Sequence, residues 1–160
     1  MENLTAIRTE WRKAKKRAEL LCLRAGQEDA ARKFRVCTMF HGDETLEELV
    51  ELLFSPQGIE FISSFNFPSL SIFRRFKKYD TQRLGVFIDA GEITLEEVRR
   101  VLLVGNTTAT VKYSQTRANN VCALHGATAT IEAAGYSVVK VDADRHSKIN
   151  TTVKDHAFVR

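Results

Sequence analysis

The stretch VLLVGNTTATVKYSQTRANNVCALHGATATIEAAGYSVVKVDADRHSKINTTVKDHAFV, residues 101–159, decides the architecture. Branched apolar residues recur at Val101, Val111, Val121, Ile131 and Val141, a spacing of ten, with small or polar residues between them. The best internal match sets Thr108-Ala109-Thr110-Val111 against Thr128-Ala129-Thr130-Ile131, each preceded by a glycine, Gly105 or Gly126. Looser echoes follow at Tyr136-Ser137-Val138-Val139 and His156-Ala157-Phe158-Val159. Short β-branched runs separated by Gly, Asn and Asp read as strands and turns, and a sustained period means coils stacked on one another. The expectation is a short β-solenoid with coils of about twenty residues, two strands each.

Upstream of the repeat, Gly85-Val86-Phe87-Ile88-Asp89-Ala90-Gly91 is a glycine-bounded apolar run and reads as the first strand. Thr94-Leu95-Glu96-Glu97-Val98 places Thr94 and Glu97 at the spacing of a capping box, which favours one helical turn or a loop there. Residues 40–76 hold seven of the ten phenylalanines, and at helical spacing such a cluster is core. Three short helices are expected in this region. One is opened by the Thr45/Glu48 capping box, one by Ser55-Pro56, and one by Pro68-Ser69 running through Ile72, Phe73 and Phe76.

At the amino-terminal end the apolar positions run Leu4, Ile7, Trp11, Ala14, Ala18, Leu21 and Ala25, alternating steps of three and four. That is the seam of an amphipathic helix from residue 2 to residue 25, with Gly26 as its left-handed stop. Two central alanines suit close packing against another helix, either Gln27–Phe34 of the same chain or the same helix of a second copy. The other faces carry Arg12, Lys13, Lys15, Lys16 and Arg17. A second basic cluster, Arg74, Arg75, Lys77 and Lys78, is interleaved with Phe76 and Tyr79.

The expected fold is therefore α+β. Amino-terminal helices, one long and amphipathic followed by short helical hairpins, cap a short carboxy-terminal β-solenoid. The helical region spans residues 1–84, with the long helix at 2–25 and the short helices at 45–78, and the repeat region spans residues 85–160. A cap is expected because an uncovered terminal coil exposes unpaired backbone groups and an apolar section.

The 160 residues are 44% apolar and 28% charged, a globular composition rather than a disordered one. The net charge of +4 is uneven: residues 1–40 carry ten Lys/Arg against five Asp/Glu, so only that end is markedly basic. Met1-Glu2-Asn3-Leu4 lacks the features of a secretory signal and no stretch nears eighteen apolar residues, so the expected location is cytoplasmic, with no membrane partner. Cys22, Cys37 and Cys122 form no CxxC pair and are expected to be free thiols in a reducing compartment.

Chemistry is sparse. There is no phosphate-binding glycine loop, HExxH, GxSxG or zinc spacing. Asp142, Asp144 and His146 alternate as residues on one side of a strand would, with His125 and His156 expected one coil away on each side. Two carboxylates and an imidazole are metal-binding groups, but the ordinary reading is a polar turn. Cys122 with His125 three residues on is better read as a buried cysteine packed as a small hydrophobe than as a nucleophile and its base. No catalytic, cofactor or metal residue is assigned and no small-molecule substrate is evident.

The segments Ser55-Pro56-Gln57-Gly58-Ile59-Glu60-Phe61, Asn66-Phe67-Pro68-Ser69-Leu70, Val86–Gly91, Leu103–Ala109 and His125–Ala129 resemble a group of proteins without assigned activity from gut Bacteroidetes, seen in prophage-like and mobile regions. The likeness covers about residues 46–160. The carboxy-terminal repeat also looks like the stacked β-coils of auto-adhesin-like domains of that phylum. The resemblance implies a bacterial or phage setting and carries no site residues.

The expected function is non-enzymatic: a protein interaction or oligomerisation module with a rigid solenoid face and a helical seam formed by Leu4, Ile7, Trp11, Ala14, Ala18 and Leu21. The alternative is a nucleic-acid-binding accessory protein using Arg12, Lys13, Lys15, Lys16 and Arg17 with Arg74, Arg75, Lys77 and Lys78.

Overall fold

A computed structural model of the chain describes residues 3–160. It divides into two compact units, Met1–Arg75 and Phe76–Arg160.

The first unit is helical. Helix α1 spans Leu4–Arg24, and its expected first residue, Glu2, lies outside the described residues. Gly26, at φ +71°, turns the chain out of it, a conformation glycine adopts without penalty. Helix α2 (Glu28–Val36) returns along α1. Helix α3 (Leu46–Phe54) begins at the expected capping box: Glu48 N–H donates to Thr45 Oγ1 at 3.2 Å and Thr45 N–H to Glu48 Oε2 at 2.8 Å. Ser55 then caps α4 (Pro56–Phe65), with Pro56 in the first turn and Gly58 N–H donating to Ser55 Oγ at 3.0 Å. Helix α5 (Leu70–Phe76) starts on the Ser69 carbonyl, while the Ser69 hydroxyl and N–H both donate to Glu10 of α1. Trp11 is the centre of this unit. Its ring lies 4.5 Å from Phe61 and 5.4 Å from both Phe40 and Phe67, centroid to centroid.

The second unit is a parallel β-solenoid of nine strands: β1 (Val86–Ile88), β2 (Gly91–Glu96), β3 (Arg100–Val104), β4 (Thr107–Tyr113), β5 (Ala118–Leu124), β6 (Thr128–Ala133), β7 (Val138–Ala143), β8 (Lys148–Val153) and β9 (Phe158–Val159). Odd strands form one sheet, β1-β3-β5-β7-β9, and even strands the other, β2-β4-β6-β8. Every pairing is parallel and joins a strand to the next-but-one, the signature of a coil. Val101 stands over Val121 and Val121 over Val141; Val111 stands over Ile131 and Ile131 over Thr151. That is the expected twenty-residue step. The first coil is tighter, since Val86 pairs with Leu102 and Gly91 with Thr107, sixteen residues on.

Alternation puts Val101, Leu103, Val121, Ala123 and Val139 of one sheet against Ala109, Val111, Ala129 and Ile131 of the other in a single interior column. The opposite face of the odd-strand sheet is also apolar over part of its length, and Leu102, Val104, Cys122 and Leu124 there are buried as well. Along that face the row Leu102, Cys122, Asp142 turns from apolar to charged at β7, where Asp142 pairs with Lys140 at 3.2 Å.

One expectation changes. Residues 94–96 belong to strand β2 and not to a helical turn. Ile93 and Leu95 register with Ala109 and Val111, and Glu97, the would-be capping residue, instead accepts from Ser114 N–H and hydroxyl on the next coil at 2.7 and 2.8 Å. Coil stacking outweighs a local cap. The last helical element, the 3-10 turn Gln82–Leu84, ends where the helical region was expected to end, while the compact unit that holds the strands already begins at Phe76. Residues 77–85 are tied to the solenoid: Lys77 Nζ donates to the Asp89 carbonyl, Thr81 hydroxyl to that of Val86, and Leu102 N–H to that of Gly85. Gly85, at φ +81°, is required at this junction because a Cβ would lie 2.1 Å from the Arg100 carbonyl oxygen.

Candidate interaction surfaces

The helical seam is core, which corrects the expectation that it faces a partner. Leu4, Ile7, Trp11, Ala14 and Ala18 are buried within the first unit, where the phenylalanines of α4 and the adjoining loops occupy the face a second helix would need. Of the six seam residues only Leu21 is exposed, at 49%. α1 and α2 are further joined by the Arg35–Glu19 ion pair at 2.7 Å.

The cations divide by role. Lys15 turns its Nζ to the carbonyls of Arg35 and Cys37, at 3.0 and 2.8 Å, and so terminates α2. Arg17 donates to the Phe65 carbonyl at 3.3 Å. Arg12, Lys13, Lys16 and Arg17 all lie exposed on one side of α1. At 100° per residue they span an arc of about 140°, opposite the buried seam, and Leu20, Leu23 and Arg24 fall within the same arc. Leu20 and Leu23 are 45% and 43% exposed. Arg74 and Arg75 end α5, where the Arg75 carbonyl accepts from Asn3. Lys77 and Lys78 belong to the solenoid unit, and the Lys78 ammonium sits 5.4 Å from the Tyr79 ring centroid.

Asp142, Asp144 and His146 do not converge. Asp142 is on the strand with Lys140. Asp144 turns into the corner, accepting from His125 N–H at 2.6 Å, His146 N–H at 3.0 Å and the Ser147 hydroxyl at 2.8 Å. The His146 Nε2 accepts from Arg145. Among the described residues no three His, Cys, Asp or Glu side chains gather at metal-binding spacing. Burial pushes the Asp144 carboxyl up, but the hydrogen bonds from His125, Ser147 and His146 outweigh it and hold the group below the usual carboxylate range. Asp144 is thus a coil staple, and it has counterparts. Asp89 accepts from Asn106 N–H, Glu97 from Ser114 and Asp155 from Gly135 N–H, each bond crossing from one coil to the next. Cys122 is buried, and that burial, with the charges of Asp142 and Asp144, pushes its thiol far up. It packs as a hydrophobe.

A surface absent from the sequence expectations stands out on the solenoid. On the outward side of the odd-strand sheet Ala118, Val138 and Phe158 form one row in register, and all three are exposed. Beside it the Tyr136 ring stacks on His156, centroids 4.9 Å apart and 20° from parallel. Tyr136 is 62% exposed and Phe158 56%. The signal was present in the two loose echoes of the repeat, which put an aromatic or branched residue where the stronger copies have polar or small ones. Its direction is set by the coil and was not legible from the pattern alone.

Compared with known families, curated proteins and solved structures, the chain matches none. Among the described residues no helix is long and apolar enough to cross a membrane.

Proposed function

We propose that the chain is a non-enzymatic interaction module of a bacterial mobile element or phage, in which the solenoid holds a lateral apolar patch rigidly for a protein partner. The observation that carries this reading is the exposed cluster of Tyr136, Val138 and Phe158. Contiguous exposed apolar surface on a charged protein marks an interaction site, whereas single exposed apolar residues do not. Val138 is held by the ladders of β7 with β5 and with β9, Phe158 by the pairing of β9 with β7 and Tyr136 by its stacking on His156, so little ordering is required on binding. The test is site-specific photocrosslinking of the intact chain in host lysate. A photoreactive phenylalanine analogue replaces Val138, and in a control replaces Thr110 on the other sheet. The expected result is a discrete protein adduct at 138, none at 110, and loss of the adduct when Phe158→Asp is added. Equal labelling at both positions, or none at either, overturns the proposal.

A further inference from the structure

We infer that the outer face of α1 is a second, separate docking surface, and that its partner is an acidic α-helix of another protein. Between Arg12 and Arg24 this face places Arg12, Lys13, Lys16, Arg17 and Arg24 around Leu20 and Leu23 within about 140° of arc and about 18 Å of axis. The same arc of α1 carries no carboxylate over that length. The flanking acids of the helix already have partners, Glu10 in Ser69 and Glu19 in Arg35. A recess of about 200 Å³ adjoins the face, lined on α1 by Glu10, Lys13, Ala14 and Arg17 and across from it by residues 65–67 and Ser69. It has the size of one inserted side chain, and two cations, Lys13 and Arg17, and two aromatics, Phe65 and Phe67, are among its lining, with the Glu10 carboxylate held by Ser69.

Charge selects the occupant. A second copy of α1 would set cations against cations, so self-association by this face is disfavoured. A nucleic acid would satisfy the cations but leave Leu20 and Leu23 without apolar contact. An amphipathic helix with carboxylates three and four residues apart beside a leucine stripe satisfies both, along about three turns.

The probes are a fluorescent helical peptide about twenty residues long with a leucine stripe flanked by glutamates, its lysine-for-glutamate counterpart, and single-stranded and duplex DNA of similar reach. Each is titrated into the full chain and into two variants, Lys13→Glu with Lys16→Glu, and Leu20→Ser with Leu23→Ser. Circular dichroism checks folding, and Lys16→Glu and Leu23→Gln singly replace any double variant that unfolds. The expected result is binding of the acidic peptide alone among the peptides, weakened about tenfold or more by either variant. No binding of the acidic peptide, binding indifferent to the leucines, or DNA binding that is tighter and leucine-independent overturns the inference. None of these results touches the adduct at position 138, so the two proposals fail separately.

Discussion

Ile131 is fully buried, with Val111 below it and Thr151 above, and its side chain points into the interior column of the solenoid. An aspartate there has no cation or donor to meet, so Ile131→Asp is expected to cost at least about 3–5 kcal/mol and to unfold the solenoid unit. Glu132, one residue on, is exposed and registers with Lys112. Glu132→Lys replaces an attractive neighbour by a repulsive one at the surface and is expected to cost about 0.5 kcal/mol or less. Chemical denaturation followed by the β signal in circular dichroism measures both. Cys122 provides a second check at this scale. Because its thiol is buried and held protonated, brief native alkylation should modify Cys22 and Cys37, which are half-buried, and leave Cys122 untouched. Mass spectrometry showing Cys122 modified as fast as the others would contradict the packing described for β5.

At the scale of elements the coil corners carry the distinctive chemistry. Strands alone leave N–H groups at each turn, and the carboxylates of Asp89, Glu97, Asp144 and Asp155 accept from them across coils. For Glu97, as for Asp144, burial raises the carboxyl but the bonds from Ser114 and Gln115 and the charge of Arg117 outweigh it, so the group stays below its ordinary range. A carboxyl lowered in the folded state contributes stability at pH above its unfolded value, about 4, and that contribution is lost as pH falls through the folded value. The solenoid should therefore weaken on acidification below about pH 4, and Asp144→Asn, which lowers stability near neutrality, should flatten that acid slope. Denaturation midpoints collected from neutral pH down to about 3 test the sign. An unchanged slope in the variant would mean that the Asp144 staple does not hold its corner.

For the whole solenoid, the period makes a deletion experiment possible. Excising residues 111–130 joins Thr110 to Ile131, which occupies the place of Val111, and removes one complete coil while keeping every remaining side chain on its original face. Stability in stacked coils is nearly a sum of neighbour terms, so this variant should still fold, at lower stability. Excising residues 111–120 alone removes half a coil, joins β4 to the wrong sheet and should abolish the fold. Thermal melts with retained parallel-β circular dichroism in the first variant and its loss in the second are the expected outcome. The reverse ranking would mean that the strands pair otherwise than Val111 with Ile131.

The repeat and the seam were both legible in the amino-acid order, but they carry different amounts of information. Identical steps of twenty residues allow only one way for Val111, Ile131 and Val121, Val141 to bury their side chains together, so the coil follows from the period. The helix boundaries at Thr45 and Ser55 follow likewise, because capping acts between residues three apart. The seam of α1 was legible as an apolar stripe, yet a stripe does not say what covers it, and Trp11 is covered by Phe61 and Phe67, fifty and fifty-six residues away in the chain. Thr94 and Glu97 satisfied a helix rule locally and became strand and corner because Ser114 on the next coil offered the carboxylate better donors. The exposed row of Ala118, Val138 and Phe158 was decided in the same way. Which side of a strand meets water is set by the sheet opposite it, and that sheet exists only once the coil has closed.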